Sequence, residues 1–353
     1  MEVIRGLFDG SVNFSIEKLY IELTNRCNLN CRHCYNESNE GVCLDLPIEI
    51  VKNVLIYAKK TKLNSVALSG GEALLYPEIN DVLKYCRELN LDVILLTNGT
   101  YIQNEKYFEL LFEYLPDILV SLDGPDSVSN DVIRGEGSFE RAVNFIKALK
   151  RRKFPKRVSI NTVLTEYTLT NYRNMVALCK ELGVDELTFS FVTMAGRAKR
   201  NNLQINNNDF YRVVKDINNN IKKSPQNNCQ GIGLNHVCSL TNVIDGMINL
   251  QPKVACNGDV YPCQMHHKPE YIIGNLNNTN LEGIINGDKT RMFIALMILR
   301  KNYMEECSKC VVKDICGRGC MAKSVNDYNN PVAVDGCCVF YKELLIEEIK
   351  KKT

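Results

Sequence analysis

Thr24-Asn25-Arg26-Cys27-Asn28-Leu29-Asn30-Cys31-Arg32-His33-Cys34-Tyr35 follows a short apolar run, Lys18–Leu23. The C-x3-C-x2-C spacing brings three thiols into one loop directly after an expected strand. Three thiolates can hold three irons of a cubane iron–sulfur cluster and leave the fourth iron open to another ligand. By analogy with zinc, a closed site is structural and an open one is built for chemistry. A zinc ion completed by a distant fourth ligand is the plainer alternative. The placement of the cysteines, strand and then loop, argues against it.

Outward from that loop, the bulk composition narrows the class. The chain has 353 residues, 45% of them hydrophobic, enough for roughly two domains with a sizeable core. A net charge of +2 makes no case for nucleic acid or an anionic membrane as the main partner. No apolar run approaches the ~20 residues a bilayer span needs. Met1–Gly10 has no apolar signal-peptide core, so a cytoplasmic location is expected. Sixteen cysteines are too many for an ordinary cytosolic protein, and a disulfide scaffold suits small secreted domains. Thiols kept reduced for metal are the better reading, and exposed clusters call for an anaerobic or strongly reducing setting.

Apolar runs alternate with amphipathic stretches over residues 17–192. Candidate strands are Lys18–Leu23, Ser65–Leu68, Asp92–Leu96, Ile118–Leu122, Val158–Leu164 and Glu186–Phe191, rich in Val, Ile and Leu as strands covered on both faces are. Pro47 opens a helix whose stripe is Ile48, Val51, Val54, Leu55 and Ala58. Ser138 is the expected cap of a second, with Phe139, Ala142, Val143, Ile146 and Leu149 facing inward. Asn171 caps a third, and Gly183 sits where a left-handed terminal residue belongs. Repeated strand–helix units imply a parallel sheet with right-handed crossovers, here an α/β fold of the partial (β/α)6 TIM-barrel type. Reactive groups in such folds collect at the C-terminal ends of the strands.

Composition shifts near residue 200. Asn201–Asn208 and Asn218–Asn228 are asparagine-rich and flank an expected helix, Asp209–Lys223. From Cys229 onward lie ten of the sixteen cysteines. Ala255–Tyr261 reads as a hairpin on its Asn-Gly pair, and helices are expected at Leu281–Arg300 and Tyr341–Lys351. The expected organisation is a core over 1–200, a linker and bridging helix over 201–228, and a cysteine-rich domain over 229–353.

Short polar residues close successive strands: Ser69-Gly70-Gly71-Glu72, Thr97-Asn98-Gly99 and Ser121-Leu122-Asp123-Gly124. Adjacent glycines let backbone approach a ligand closely, and a carboxylate beside them can accept from an ammonium group.

On these motifs, residues 17–197 resemble the radical S-adenosylmethionine (SAM) enzymes. The resemblance implies that Cys27, Cys31 and Cys34 bind a [4Fe-4S] cluster whose open iron is chelated by the methionine amine and carboxylate of SAM. It places Gly70, Gly71 and Glu72 at the family's Gly-Gly-Glu motif, with Glu72 near the amine. Ser121 and Asp123 match residues contacting the ribose or carboxylate, Arg134 a recurring arginine, and the His33 backbone the neighbourhood of the adenine. Ala73 departs from a frequent proline. The implied chemistry is reductive cleavage of SAM to methionine and a 5′-deoxyadenosyl radical, which abstracts a substrate hydrogen. The protein then supplies orientation and water exclusion.

The C-terminal set is Gly258-x4-Cys263, then Cys307-x2-Cys310-x5-Cys316-x3-Cys320, then Cys337 and Cys338. A structural zinc ribbon is the bland reading. The spacing resembles the SPASM extension of radical SAM enzymes, whose name gathers maturases of subtilosin, pyrroloquinoline quinone, anaerobic sulfatase and mycofactocin. It implies one or two auxiliary [4Fe-4S] clusters. Cys307, Cys310, Cys316 and Cys338 would hold the outer one, Cys338 being preferred over Cys337. Cys263 and Cys320 would hold the inner one. The family's first SPASM cysteine is missing: Cys238 falls too early and Cys256 too late, so the inner cluster uses either, both, or an open iron. An open iron suits a substrate thiolate. Gln264 stands where anaerobic sulfatase maturases place an aspartate base, which disfavours that activity. His266 and His267 read as surface or supporting residues, Cys86 and Cys179 as core, and Cys43 has no assignment.

The expected function is a peptide maturase that forms a thioether or carbon–carbon crosslink, or a related oxidation. The expected partners are a cysteine-containing precursor peptide and an electron donor such as ferredoxin or flavodoxin; with only 26 residues before Cys27, leader binding, if needed, is expected from a separate leader-binding protein or from the SPASM region. Enzymes of haem or quinone cofactor synthesis share both domains and are the alternative. A non-catalytic iron–sulfur or zinc scaffold is disfavoured because it needs no SAM pocket.

Overall fold

A computed structural model describes every residue except 1, 64, 101–104, 222–228, 233–242, 245–246, 301, 314 and 353. Its contacts divide the chain into two units: Leu19–Gly233 with Val254–Gly258, and Met1–Lys18 with Leu234–Lys253 and Asp259–Thr353. Helix α1 (Glu2–Asp9) and strand β1 (Asn13–Ile16) thus group with the C-terminal half. The reason is pairing: β1 lies parallel to β10 (Met247–Leu250), so residues 1–18 are not part of the barrel as the sequence suggested. The Asn-rich stretch around α9, read as a linker, groups with the barrel.

The first unit is built on parallel strands β2 (Tyr20–Glu22), β3 (Ser65–Ser69), β4 (Asp92–Thr97), β5 (Asp117–Ser121), β6 (Val158–Leu164), β7 (Glu186–Phe191) and β8 (Cys229–Ile232), neighbours in that order. Between them run α2 (Ile48–Lys60), α3 (Ile79–Glu88), α4 (Glu105–Tyr114), α5 (Ser127–Arg134), α6 (Ser138–Arg151), α7 (Tyr172–Leu182), α8 (Gly196–Arg200) and α9 (Asn207–Asp216). Each of the six expected strands is present. The seventh, β8, has no apolar run to announce it; Cys-Gln-Gly-Ile carries no strand pattern.

Apolar burial explains the packing. Val51, Val54, Leu55 and Ala58 of α2, and Ala142, Val143, Ile146 and Leu149 of α6, are sealed from water, as their helical spacing implied. Pro47 is the N-cap of α2 and not its first helical residue. Ser138 does not cap α6. Gly137 occupies the cap with a left-handed backbone, and the carboxylate of Asp131 accepts from Gly137 N (2.7 Å), Phe139 N (2.8 Å) and Ser138 Oγ (2.9 Å). An aspartate from the preceding helix does the capping. Asn171 sits at the start of α7 without a side-chain capping bond, while Gly183 ends that helix at φ +64° as expected.

The second unit holds the small sheet β1–β10–β9 (Val243–Ile244), with β9 antiparallel to β10. After β11 (Lys253–Val254), in the segment Val254–Gly258 that groups with the first unit, the Asn257-Gly258 turn closes through Gly258 N to Ala255 O (2.9 Å) with Gly258 at φ +85°. β12 (Asp259–Tyr261) pairs antiparallel with β13 (Gly274–Asn275). The expected helix over 281–300 is two helices, α10 (Leu281–Ile285) and α11 (Asp288–Arg300), separated at Asn286-Gly287. Then come α12 (Glu305–Ser308), α13 (Met321–Tyr328) and α14 (Cys338–Lys352), the last beginning three residues earlier than the sequence indicated. Among the described residues, no helix is long and apolar enough to cross a membrane.

Candidate functional site

The loop after β2 carries Cys27, Cys31 and Cys34, and its main chain is gripped from three sides. Gly71 N donates to Thr24 O (2.7 Å) and Glu72 N to Arg26 O (2.8 Å). A Cβ on Gly70 would lie 2.5 Å from Thr24 O, and one on Gly71 would lie 2.3 Å from Arg26 O. The glycine pair is therefore required by the loop itself, a nearer reason than the ligand approach read from sequence. Arg32 N donates to Ile133 O (2.8 Å), which ties the loop to the end of α5.

The third hold comes from Gly196 and Arg197, just past the C-terminal end of β7. Arg197 N donates to Cys34 O (2.9 Å), its Nε to Cys31 O (2.8 Å), and its Nη1 to Ser38 O and to Glu40 Oε1 (both 2.9 Å). A Cβ on Gly196 would meet Tyr35 O at 2.5 Å. Sequence reasoning missed both residues. Their only signal was position, a Gly-Arg pair after a strand end, where such folds concentrate functional groups.

A buried ionic group stands beside the loop. Asp123 is fully enclosed; its Oδ2 lies 2.7 Å from both His33 Nε2 and Arg134 Nε, and its Oδ1 accepts from Val163 N (2.8 Å). Burial alone would raise this carboxyl, but the Arg134 guanidinium, the His33 ring and the Val163 N–H outweigh it and hold it well below the usual carboxylate range. Arg134 Nε, although close, is off the hydrogen-bond line and has no aligned partner among the described residues. Arg134 O lies 3.9 Å from Cys31 Sγ. His33 is thus placed by its side chain as well as its backbone.

Glu72 is buried, with Oε1 accepting from Thr97 Oγ1 (2.7 Å) and Leu74 N (3.3 Å) and Oε2 from Asn98 N (2.7 Å). Burial pushes its pKa up despite these bonds. Asn98 Nδ2 bonds Asn28 Oδ1 (2.9 Å) inside the cysteine loop, and Asn28 Nδ2 bonds Thr100 Oγ1 (3.0 Å). Ser121 ends β5, in register with Asn161 of β6. The strand ends of β3, β4 and β5 thus form one polar rim around the thiols.

The chemistry of this donor set fits a cluster. Burial pushes the Cys27 thiol up to about 12 and Cys31 to about 11, while Arg134 and Arg197 pull Cys31 down. Bound cations reverse the effect of burial by selecting the thiolate.

In the second unit, Cys307, Cys310, Cys316 and Cys338 line one open pocket with Arg318, Gly319, Asp335 and Tyr341. Cys337 is buried and is not part of that lining. Arg318 Nε is buried and has no hydrogen-bond partner among the described residues, a cationic group set beside Cys307 and Cys316. That orphan and the sulfur-lined space fit an anionic cluster. Cys320 caps α13, and Cys263 bridges Gln251. Cys256 is half-buried in the Asn257-Gly258 turn, and Cys238 lies outside the described residues. His266 is not a surface residue: it stacks with Tyr271 and Phe293 at ring separations of 4.6 and 5.2 Å. Burial and Lys253 push His266 down to about 3 and His267 to about 2, so both are neutral. Cys86 and Cys179 are core residues as expected, and Cys43 is exposed.

With this geometry in place, the relatives are informative. Residues 21–169 match the model of the radical SAM superfamily, and residues 249–311 that of SPASM, an iron–sulfur cluster-binding domain. The chain belongs to the radical SAM enzymes that carry a SPASM domain. Its cofactors are accordingly [4Fe-4S] clusters and SAM. The antilisterial bacteriocin subtilosin biosynthesis protein AlbA of Bacillus subtilis is 27% identical over 346 residues, covering 93% of this chain and 72% of AlbA. An AdoMet-dependent heme synthase of Methanosarcina barkeri is 31% identical over 195 residues; the match spans 55% of this chain and 55% of that protein. The crystal structure of Streptococcus suis SuiB bound to S-adenosylmethionine shares the fold at a TM-score of 0.74, with 20% identity, 95% of this chain and 79% of SuiB covered.

Proposed function

We propose that this protein modifies a ribosomally made, cysteine-containing peptide by radical chemistry, forming a thioether or carbon–carbon crosslink or a related oxidation. One observation carries the reading: the likeness to the subtilosin biosynthesis protein runs through 93% of the chain, across both domains. SuiB, which shares the fold, has also been seen with its precursor peptide SuiA. When bound, the reduced cluster and SAM supply a one-electron cleavage that generates a hydrogen-abstracting radical.

The residues described above do the rest. Cys27, Cys31 and Cys34 hold the barrel cluster, and Gly70, Gly71, Gly196 and Arg197 fix the path of their loop. Glu72, Asn98, Ser121 and the Asp123–Arg134–His33 group form the rim that orients SAM and keeps water out. Cys307, Cys310, Cys316 and Cys338 hold the outer auxiliary cluster, and Cys263 and Cys320 the inner one. An electron donor of the ferredoxin or flavodoxin type completes the system.

A haem- or quinone-pathway role is the second reading, favoured by the 31% identity to the heme synthase over 195 residues. Anaerobic co-expression with any short cysteine-rich open reading frame found next to the gene, followed by mass spectrometry, tests the choice. A peptide lighter by pairs of hydrogens, only when Cys27, Cys31 and Cys34 are intact, is the expected result. Unchanged peptides, alongside SAM-dependent conversion of a porphyrin precursor, would overturn it.

A further inference from the structure

Cys337 and Cys338 are neighbours in sequence, yet their side chains serve different places. Cys338 opens α14 and lines the cavity with Cys307, Cys310 and Cys316, whereas Cys337 is only 1% exposed and is not part of that lining. Consecutive residues at a helix start point about 100° apart, so one pair of positions can aim sulfurs at two centres.

The buried carboxylate of Asp335 shows where Cys337 belongs. Its Oδ1 accepts from Cys337 N (2.9 Å) and its Oδ2 from Cys320 N (2.6 Å). Its main-chain oxygen accepts from Cys338 N (3.0 Å). Gly319 is required beside it, since a Cβ there would lie 2.3 Å from Asp335 Oδ2 and the residue has φ +71°. One side chain therefore clasps two cysteine-bearing segments across a single carboxylate. The helix that Cys320 caps is in turn tied to the Cys263 segment, through Asn326 Nδ2 to Met265 O (3.2 Å). Cys263, Cys320 and Cys337 sit on segments joined by direct hydrogen bonds.

We propose that Cys337 is a ligand of the inner auxiliary cluster beside Cys320 and Cys263, in place of the upstream cysteine this sequence lacks, with Asp335 as the positioning residue for both auxiliary centres. The inference rests on the auxiliary-cluster reading above. It makes the adjacent pair a divider, one sulfur to each cluster.

The test uses the full chain carrying C27A, C31A and C34A, which silences the barrel cluster, reconstituted anaerobically with iron and sulfide. Iron per chain and Mössbauer and EPR spectra are the readouts. C337A should lose about half of the auxiliary iron and the signal that C338A retains; C338A should lose the complementary one. C337S, nearly isosteric, should shift the inner-cluster spectrum even if C337A fails to fold, and D335N should speed iron loss to a chelator from both centres. A C337S spectrum identical to its parent's would overturn the assignment. A parent that takes up no auxiliary iron would instead overturn the cluster reading itself, before any Cys337 variant is compared.

Discussion

Replacing Gly71 by alanine separates two explanations of the Gly-Gly-Glu motif. If the glycines serve ligand approach, G71A weakens SAM binding and leaves the cluster loop intact. The structure indicates the reverse order of events. The new methyl carbon would stand 2.3 Å from Arg26 O and 2.7 Å from Arg26 C, both backbone atoms that have no rotamer by which to yield. Overpacking of this kind costs about 1–3 kcal/mol. Parting the two chains also stretches the bonds Gly71 N to Thr24 O and Glu72 N to Arg26 O, each contributing about 0.5–1.5 kcal/mol. The total is about 2–6 kcal/mol, against ~5–15 kcal/mol for the stability of a typical domain. The domain should stay folded while the loop next to Cys27 is displaced. Urea unfolding of the iron-free protein should show a lowered midpoint, and reconstituted G71A should bind less iron with no SAM present. Unchanged midpoint and iron content, with only SAM affinity reduced, would refute the reasoning.

The other predictions concern neighbouring contacts. D123N leaves the buried Arg134 guanidinium without its counter-charge and should destabilise the iron-free protein by about 3–5 kcal/mol; a loss below ~1 kcal/mol in urea titrations counts against a tight ion pair. R197K should fail nearly as badly as R197A at retaining iron against a chelator, because an ammonium cannot span Cys31 O, Ser38 O and Glu40 as the guanidinium does; full rescue by lysine would contradict this. Asp131 caps α6, so D131A should cost about 1–2 kcal/mol at neutral pH. Burial tends to raise the Asp131 carboxyl, but bonds from Phe139 N, Asn130, Ser138 and Gly137 N outweigh it and hold it below its usual 3.8. A carboxylate depressed in the folded state stabilises above 3.8 and loses that contribution as pH falls below it. The gap between parent and D131A should therefore narrow below that pH, and a constant gap down to strong acid would exclude the carboxylate as its source.

What could be read from the sequence was what repeats or lies close along the chain. Alternating apolar runs announced six strands, and the helical stripes of α2 and α6 named their buried faces. The cysteine spacings carried the resemblance, because Cys27, Cys31 and Cys34, and likewise Cys307, Cys310 and Cys316, sit within a few residues of one another. Contacts that join distant segments left no such pattern. Arg197 reaches back 166 positions to Cys31, and only its place after a strand end marks it as more than a surface arginine. The role of Asp335 likewise depends on two amides seventeen positions apart, Cys320 and Cys337. Gly70 and Gly71 were flagged for the right property, lack of a side chain, but the close neighbour is the loop backbone. Ser138 was assigned as a cap because serine commonly plays that part, while the better acceptor, Asp131, came from the preceding helix.

Much of the hold on the cysteine loop runs through its peptide groups: Gly71, Glu72 and Arg197 address the carbonyls of Thr24, Arg26, Cys31 and Cys34. Peptide oxygens are the same whatever residue bears them. Evolution can therefore exchange the intervening side chains at Leu29, Asn30 and Arg32, retuning what lies against the cofactor, without redrawing the scaffold that keeps three sulfurs in register.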